Sequence, residues 1–369
     1  MDSAKENKLR RWISGIEPAP ELLGASGVQI LEIECREQPL RLHEMIRTYS
    51  ADPAIRAAFG QLREAENAGR GPVLFIGMGA SLCSSVSGAV FLQTHGRPSF
   101  VVDAGEWLHY GAAVRNDPPL SILLTTSGES AELVELFKRG ASGLLALISN
   151  NSASTCWKLA ESKLPILAGP EYGNATKTYT NATAASIIAA TEILGLPWEK
   201  DAEKSVEIFS TNLERIFDQR GDLEQFCRGA ANTEIIGRGA GFGAAQMSAL
   251  CIREMTGHRA AAHTGAGFRH GPNLDVDASH VAIIFALGRA AELGVKLAQE
   301  CNRRGGKVVL VSEEDRELTE TLFPVRVDAV PEPWEGITSI LVAQALTLAM
   351  TERTGCRLPP RFEYGVMEQ

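Results

Sequence analysis

The chain has 369 residues, 44% of them hydrophobic, and 36 Lys+Arg against 45 Asp+Glu give a formal net charge of -9. The length predicts two domains, each with its own core, and the acidic balance without a basic run excludes a nucleic-acid or anionic-membrane surface, whose polyanions the long-range field repels. Seven cysteines without a C-x-x-C pair exclude a disulfide framework or zinc site, the start MDSAKENKLRRW has no apolar core, and no apolar run is long enough for a span, so a cytoplasmic protein without membrane contact is expected.

In chain order, VQILEIECREQPLRLHEMI and the helix-forming residues beyond it, up to residue 68, predict an N-terminal helical arm, broken once at Pro39. Past the arm, PVLFIGMG, PSFVVDAG, SILLTTSG, GLLALISNN and KLPILAG are short apolar runs separated by amphipathic stretches such as ELVELFKRG. Runs without period-two alternation between helices indicate parallel strands covered on both faces. A second series starts near residue 232 with TEIIGRGAGFGAAQMSALCIREM and continues through ASHVAIIFALG and GKVVLVSEED. Its landmarks lie on one diagonal: Gly77 with Gly237, Asp103-x-Gly105 with His263-x-Gly265, and Gly128 with Gly288, each 160 residues apart. This is the mark of an internal repeat. The expected fold is α/β: two tandem three-layer α/β/α sandwiches with parallel sheets behind the helical arm. The boundaries are 1–70 for the arm, 71–200 for the first sandwich, and 201–369 for the second with a C-terminal tail.

The copies differ at one turn. The first has TTSGES after its third strand, the second FALGRA, which keeps the glycine and no hydroxyl. Ligands of open α/β sheets bind beyond the carboxyl ends of strands, where helix N-termini offer N–H groups. Four hydroxyls there, with Gly77-x-Gly79 and Ser81 at the preceding strand end, make a neutral cradle for a phosphate. Ser and Thr also cap helices, but capping needs would be similar in both copies. Gly77-x-Gly79 lacks the third glycine of a dinucleotide fingerprint and GRGAGFG has Phe242 in its place, so a nicotinamide cofactor is not expected. Four of the seven histidines fall between 258 and 280, in the second copy. His258, His263 and His270 have no carboxylate at ligand spacing, so no metal is expected.

LLTTSGESAEL resembles the phosphosugar-binding signature of the sugar isomerase (SIS) domain. Together with EIECREQP, GMGAS, EYGNATKTYTNA, ALCIRE and FRHGP, the resemblance spans nearly the whole chain. It reaches the tandem-SIS isomerase half of glutamine-dependent glucosamine-6-phosphate synthase and the free-standing deglycases and aminosugar-phosphate deaminases. The resemblance implies SIS folds, a small-molecule phosphosugar ligand and no cofactor. It implies that Ser81, Thr125, Thr126, Ser127 and Ser130 bind the phosphate, with Gly79, Thr176, Lys177 and Arg269 as candidate sugar contacts. The implied catalytic pair is Glu254, which moves the C1/C2 proton, and His270, sixteen residues later, which opens the ring. A carboxylate and an imidazole suit these tasks because each can change protonation near neutrality when its site tunes it. A lone helix glutamate or loop histidine needs no functional account; it is their register downstream of the cradle that carries the reading. In the family the histidine loop enters a neighbouring subunit, which implies a homodimer, or a dimer of dimers, with a shared active site.

Several positions depart from the resemblance. Cys251 and Gly267 replace a lysine and a glutamate, EYGNATKTYT is one residue shorter, and no lysine follows Lys307, so Glu363 or Tyr364 takes the place of a tail lysine. His263 is either a replacement for a lost group or structural. The sequence runs from Met1-Asp2 into the helical arm, so glutaminase activity is not expected. The expected function is an isomerase, or an isomerising deaminase or deglycase, of an aminosugar or amine-adduct hexose 6-phosphate. The alternative is a non-catalytic sugar-phosphate-binding regulatory protein.

Overall fold

A computed structural model of the protein describes residues 25–68, 71–111, 120–141 and 143–357. Helix α1 (Gly27–Ala51) starts at a capping box, with the Ser26 hydroxyl accepting from Gln29 N and the Gln29 amide oxygen accepting from Ser26 N. It runs through Pro39 without breaking. Proline has no N–H for the carbonyl four residues back; here Gln38 Nε2 donates to that Cys35 carbonyl at 2.9 Å and replaces the missing bond. The expected break therefore falls later. Asp52 is held extended by the proline after it, and its Oδ1 accepts from Ala54 N at 2.7 Å to start α2 (Pro53–Ala68).

The described residues form two compact units, one reaching Glu203 and the other starting at Lys204. The first continues with β1 (Val73–Gly77), α3 (Ala80–Thr94), β2 (Ser99–Asp103), α4 (Ala104–Tyr110), β3 (Leu120–Thr125), α5 (Ala131–Arg139), β4 (Leu144–Ser149), α6 (Thr155–Leu159), β5 (Ser162–Pro165) and α7 (Lys177–Ile193). Helix α8 (Glu199–Asp218) spans the boundary. The second contains α9 (Arg220–Cys227), β6 (Asn232–Gly237), α10 (Ala240–Thr256), β7 (Ala260–Thr264), α11 (Gly265–Arg269), β8 (His280–Ala286), α12 (Ala291–Arg303), β9 (Lys307–Ser312), β10 (Leu322–Arg326), α13 (Glu335–Thr338) and α14 (Ile340–Thr354).

Both sheets are parallel throughout, ordered β2-β1-β3-β4-β5 and β10-β9-β8-β6-β7, the same topology twice. One face of the first sheet packs Leu74, Ile76, Leu123 and Leu147 on Leu133 and Leu136 of α5. The second sheet packs Ile236, Ile284 and Leu310 on Leu297 and Cys301 of α12. Each such side chain contributes about 1.5–3 kcal/mol by leaving water.

The repeat is visible in the backbone. Gly79 and Gly239 cap α3 and α10 with φ/ψ of 54/-127° and 54/-130°, a region closed to residues with a Cβ. Gly128 and Gly288 match at φ 67° and 59°. The middle landmark differs from expectation: Gly77 pairs with Asp103, but Gly237 pairs with Thr264, not His263. Helix α10 has 17 residues against 15 in α3, and the loop after it is one residue shorter, so β7 ends one residue later. Asp103 and Thr264 are the equivalent pair, and both cap the next short helix through the side chain.

Among the described residues, no helix is long and apolar enough to cross a membrane.

Candidate functional site

In this strand order the chain leaves β1 and β3 toward opposite sides, which opens a crevice at their carboxyl ends. The Gly79 and Ser130 N-caps of α3 and α5 both lie at this crevice, and neither helix start is closed by a side-chain cap. Ser81 stands half-buried in the first turn of α3 and Gly79 is exposed. The TTSGES hydroxyls divide by task. Thr125 is buried and its Oγ1 accepts from Gly128 N at 3.1 Å; Ser127 Oγ accepts from Glu129 N at 3.3 Å. These two shape the turn. Ser130 Oγ lies 3.5 Å from Thr125 Oγ1 without capping α5, and among the described residues nothing engages the Thr126 hydroxyl. Thr126 and Ser130, both half-buried, are the hydroxyls left over for a ligand.

The 171–178 segment has a different role. Glu171 is buried and accepts from Thr176 N and Oγ1, from Thr178 N at 3.0 Å, and from Thr178 Oγ1. Lys177, 4% exposed, is ion-paired with Glu37 of α1. Glu34 of α1 accepts from the Tyr172 and Gly173 amides. Full burial, with Glu171 close by, pushes the Glu34 carboxyl far above the usual carboxylate range, to about 8. Thr176 and Lys177 thus face protein groups that fasten α1 to α7. Arg269 is likewise held by Glu300 through bonds of 2.9 and 3.0 Å.

In the second unit the matching crevice lies between β6 and β8, and its turn, FALGRA, carries no hydroxyl. Glu335 is buried beneath Gly288, where desolvation raises its carboxyl to about 7, and Arg289 pairs with Glu332. Glu254 sits at the far end of the unit, in the last turn of α10. It lines a cleft of about 830 Å³ together with Asn232, Glu234, Arg253, Arg259 and Arg357. His263 bonds Glu234 at 2.7 Å, and His258 bonds Thr233 at 3.0 Å with its pKa lowered by burial. His270 is exposed and follows α11, past the other end of β7. The five residues of β7 between them span about 16 Å at the usual rise per residue. Glu254 and His270 thus lie toward opposite ends of β7. Glu363 and Tyr364 lie outside the described residues. The three cleft arginines were not anticipated; they are brought together by the crossover from α10 to β7 and by the return of the chain after α14.

Two parallel sheets of this order, with a hydroxyl turn at the switch point of the first, make a tandem α/β protein. Residues 229–351 are a SIS domain by their match to that family. The chain is 26% identical over 336 residues to glutamine–fructose-6-phosphate aminotransferase [isomerizing] of Bacillus licheniformis, covering 88% of this chain and 55% of the relative. The chain thus spans about half the length of the curated relatives it matches. Among solved structures it resembles the C-terminal domain of glucosamine-fructose-6-phosphate aminotransferase from Francisella tularensis, with TM-score 0.76, 19% identity, and 89% and 97% of the two chains covered. It also resembles tagatose-6-phosphate ketose/aldose isomerase from Escherichia coli, with TM-score 0.74, 20% identity, and coverage of 96% and 99%. At these identities the structural likeness speaks for the fold.

Proposed function

We propose that the chain is an enzyme of the sugar-phosphate isomerase type. Its substrate is an aminosugar or amine-adduct hexose 6-phosphate, and it works by ring opening and proton transfer between C1 and C2, as an isomerase or an isomerising deaminase or deglycase. The observation that carries the reading is the first switch point: two helix starts without side-chain caps meet there, and Thr126 and Ser130 have hydroxyls that the turn does not use. Phosphate oxygens accept from hydroxyls and helix N-terminal amides alike. Ser81, Thr125 and Ser127 complete the cradle. Glu254, half-buried in its cleft, is the carboxylate that shuttles the proton. His270 opens the ring. Its distance from Glu254 along β7 favours a homodimer in which the histidine serves a sugar held by the other copy. The reading places the protein in the cytoplasm.

Solvent deuterium incorporation at C2, followed by NMR over a panel of hexose and hexosamine 6-phosphates, tests this. Exchange is expected with at least one sugar, and Glu254→Gln should slow it about a hundredfold or more, the range for a lost general base. Full exchange in that variant removes Glu254 from the mechanism. Binding without exchange across the panel identifies a sugar-phosphate sensor.

A further inference from the structure

The turn that carries the hydroxyls rests on the loop between β4 and α6. Because Thr125 and Ser149 are partners in the parallel register, the residues after β4 run beside TTSGES. Three successive residues of the turn are tied to that loop. The Ser127 carbonyl accepts from Asn151 Nδ2 at 3.1 Å, the Gly128 carbonyl from Cys156 N at 3.0 Å, and Glu129 Oε1 from Thr155 N at 2.9 Å. Of these three bonds, the first alone is donated by a side chain. Asn151 is 3% exposed, and its Oδ1 accepts from Ala153 N at 3.0 Å, so the two bonds together fix which way the amide faces.

The Asn151 bond holds a peptide plane. In a trans peptide the carbonyl of one residue and the N–H of the next point to opposite sides. Holding the Ser127 carbonyl toward the loop therefore sends the Gly128 N–H the other way, where it donates to Thr125 Oγ1 at 3.1 Å. A hydroxyl oxygen that accepts in this way keeps its own hydrogen for another acceptor. Thr125 Oγ1 lies 3.5 Å from Ser130 Oγ, among the hydroxyls left over for a ligand. In the second unit the register partners are Ala286 and Ser312, which puts Glu314 at the place of Asn151. Glu314 is exposed, has no amide to donate and pairs with Arg316. The copy whose turn carries no hydroxyl thus has no amide donor at this position.

We propose that Asn151 is a positioning residue of the phosphate cradle: from the neighbouring loop it sets the plane through which the Gly128 N–H orients the Thr125 hydroxyl toward an incoming phosphate oxygen. This rests on the reading of TTSGES as the phosphate site. Asn151 acts through the backbone of the turn and touches no substrate itself.

Calorimetric titration of the full chain with inorganic phosphate and with fructose 6-phosphate tests this. Asn151→Ser keeps a side-chain oxygen for the Ala153 amide but is too short to reach the Ser127 carbonyl. It should weaken both probes by the same factor, about tenfold, as for the loss of one hydrogen bond to a charged group. Thr125→Val should weaken phosphate about tenfold in the unaltered chain and less than about twofold in the Asn151→Ser chain, because both changes remove the same donor. Unchanged affinity in the serine variant, losses that multiply in the double variant, or a loss confined to fructose 6-phosphate each overturns the inference. Multiplying losses are what an asparagine that only builds its own loop would give. If the serine variant does not fold, Asn151→Asp takes its place, since it keeps the shape and Oδ1 and sets an acceptor against the Ser127 carbonyl. Its tenfold loss should persist at about 1 M salt, where the Debye length is about 3 Å; a loss that salt abolishes belongs to the added charge alone and overturns the inference. If the unaltered chain binds both probes and the variants bind them equally well, only this inference falls. If the unaltered chain binds neither, the cradle reading falls, and this inference with it.

Discussion

The two switch points present nearly the same backbone with opposite contents. Gly79 and Gly239 agree within 3° in ψ, and Gly128 and Gly288 share a left-handed φ. Beneath Gly128 lie the Ser154 and Ser149 hydroxyls; beneath Gly288 lies the buried Glu335 carboxyl. A crevice floored by hydroxyls can donate to an anion, whereas one floored by a carboxyl group turns against an anion as that group ionises. The fold supplies the crevice twice, and the side chains give the two copies opposite contents.

Glycine exchange at the two turns probes this contrast most strongly. An alanine Cβ at 128 overlaps Ser154 Oγ in addition to the left-handed φ, so Gly128→Ala should cost about 2–5 kcal/mol, combining roughly 1–2 for the conformation and 1–3 for overpacking. Gly288→Ala meets Glu335 Oε1 at an ordinary 3.5 Å and should cost only the conformational part, about 1–2 kcal/mol, in chemical denaturation. Equal losses would mean that the turns are packed alike.

Removing Thr126 and Ser130 hydroxyls by Thr126→Val with Ser130→Ala should weaken fructose 6-phosphate binding about ten- to a hundredfold, since a hydrogen bond to a charged group is worth about 1.5–3 kcal/mol. Unfolding midpoints should barely move, because neither hydroxyl serves the turn. A large loss of stability with unchanged affinity would reverse their assigned task.

The buried carboxyls give smaller effects with a defined sign. Glu34 is protonated in the folded protein up to about pH 8 but ionises near 4.5 when exposed, so the folded state binds the extra proton and stability falls as pH rises between these values. Glu34→Gln should flatten that slope in thermal unfolding. It should also lose about 1–3 kcal/mol at pH 5, because the amide has one acceptor oxygen for the two amides of Tyr172 and Gly173. Glu335→Gln should remove a shorter segment of the slope, ending near pH 7, with an effect of about 1 kcal/mol or less. Variant and parent curves that stay parallel across pH would exclude these carboxyls as the source.

Most strands are legible because a sheet covered on both faces demands continuous apolar runs, as in VLFIG and HVAIIFA. LFPVR of β10 does not stand out in this way: it is an edge strand, only partly buried, and contains Pro324, which central strands exclude. Pro39 misleads because the rescue comes from the side chain of the preceding Gln38, which no helix-breaker rule includes. The hydroxyl turn stands out by composition, yet its division into turn-forming and unengaged hydroxyls depends on which backbone amides each one reaches. The arginine cleft is invisible in the sequence, since Arg357 is about a hundred residues from Arg253 and Arg259 and each reads alone as a solvated charge.

The bonds from Glu34 to Tyr172 and Gly173 join positions 138 and 139 residues apart, and Asn181 closes a further span to the Arg41 carbonyl. The arm is therefore fastened by the last segment of its own unit. During synthesis, α1 is made before all of these partners; Tyr49 can meet the Pro165 carbonyl, but the partners of Glu34 and Arg41 follow only once the chain is made past residue 181, so docking is completed at the end of first-unit folding. A ribosome-held fragment stopped before residue 171 would carry Glu34 ionised and solvated, and the proton it takes up on docking would mark, in time, the closure of the unit.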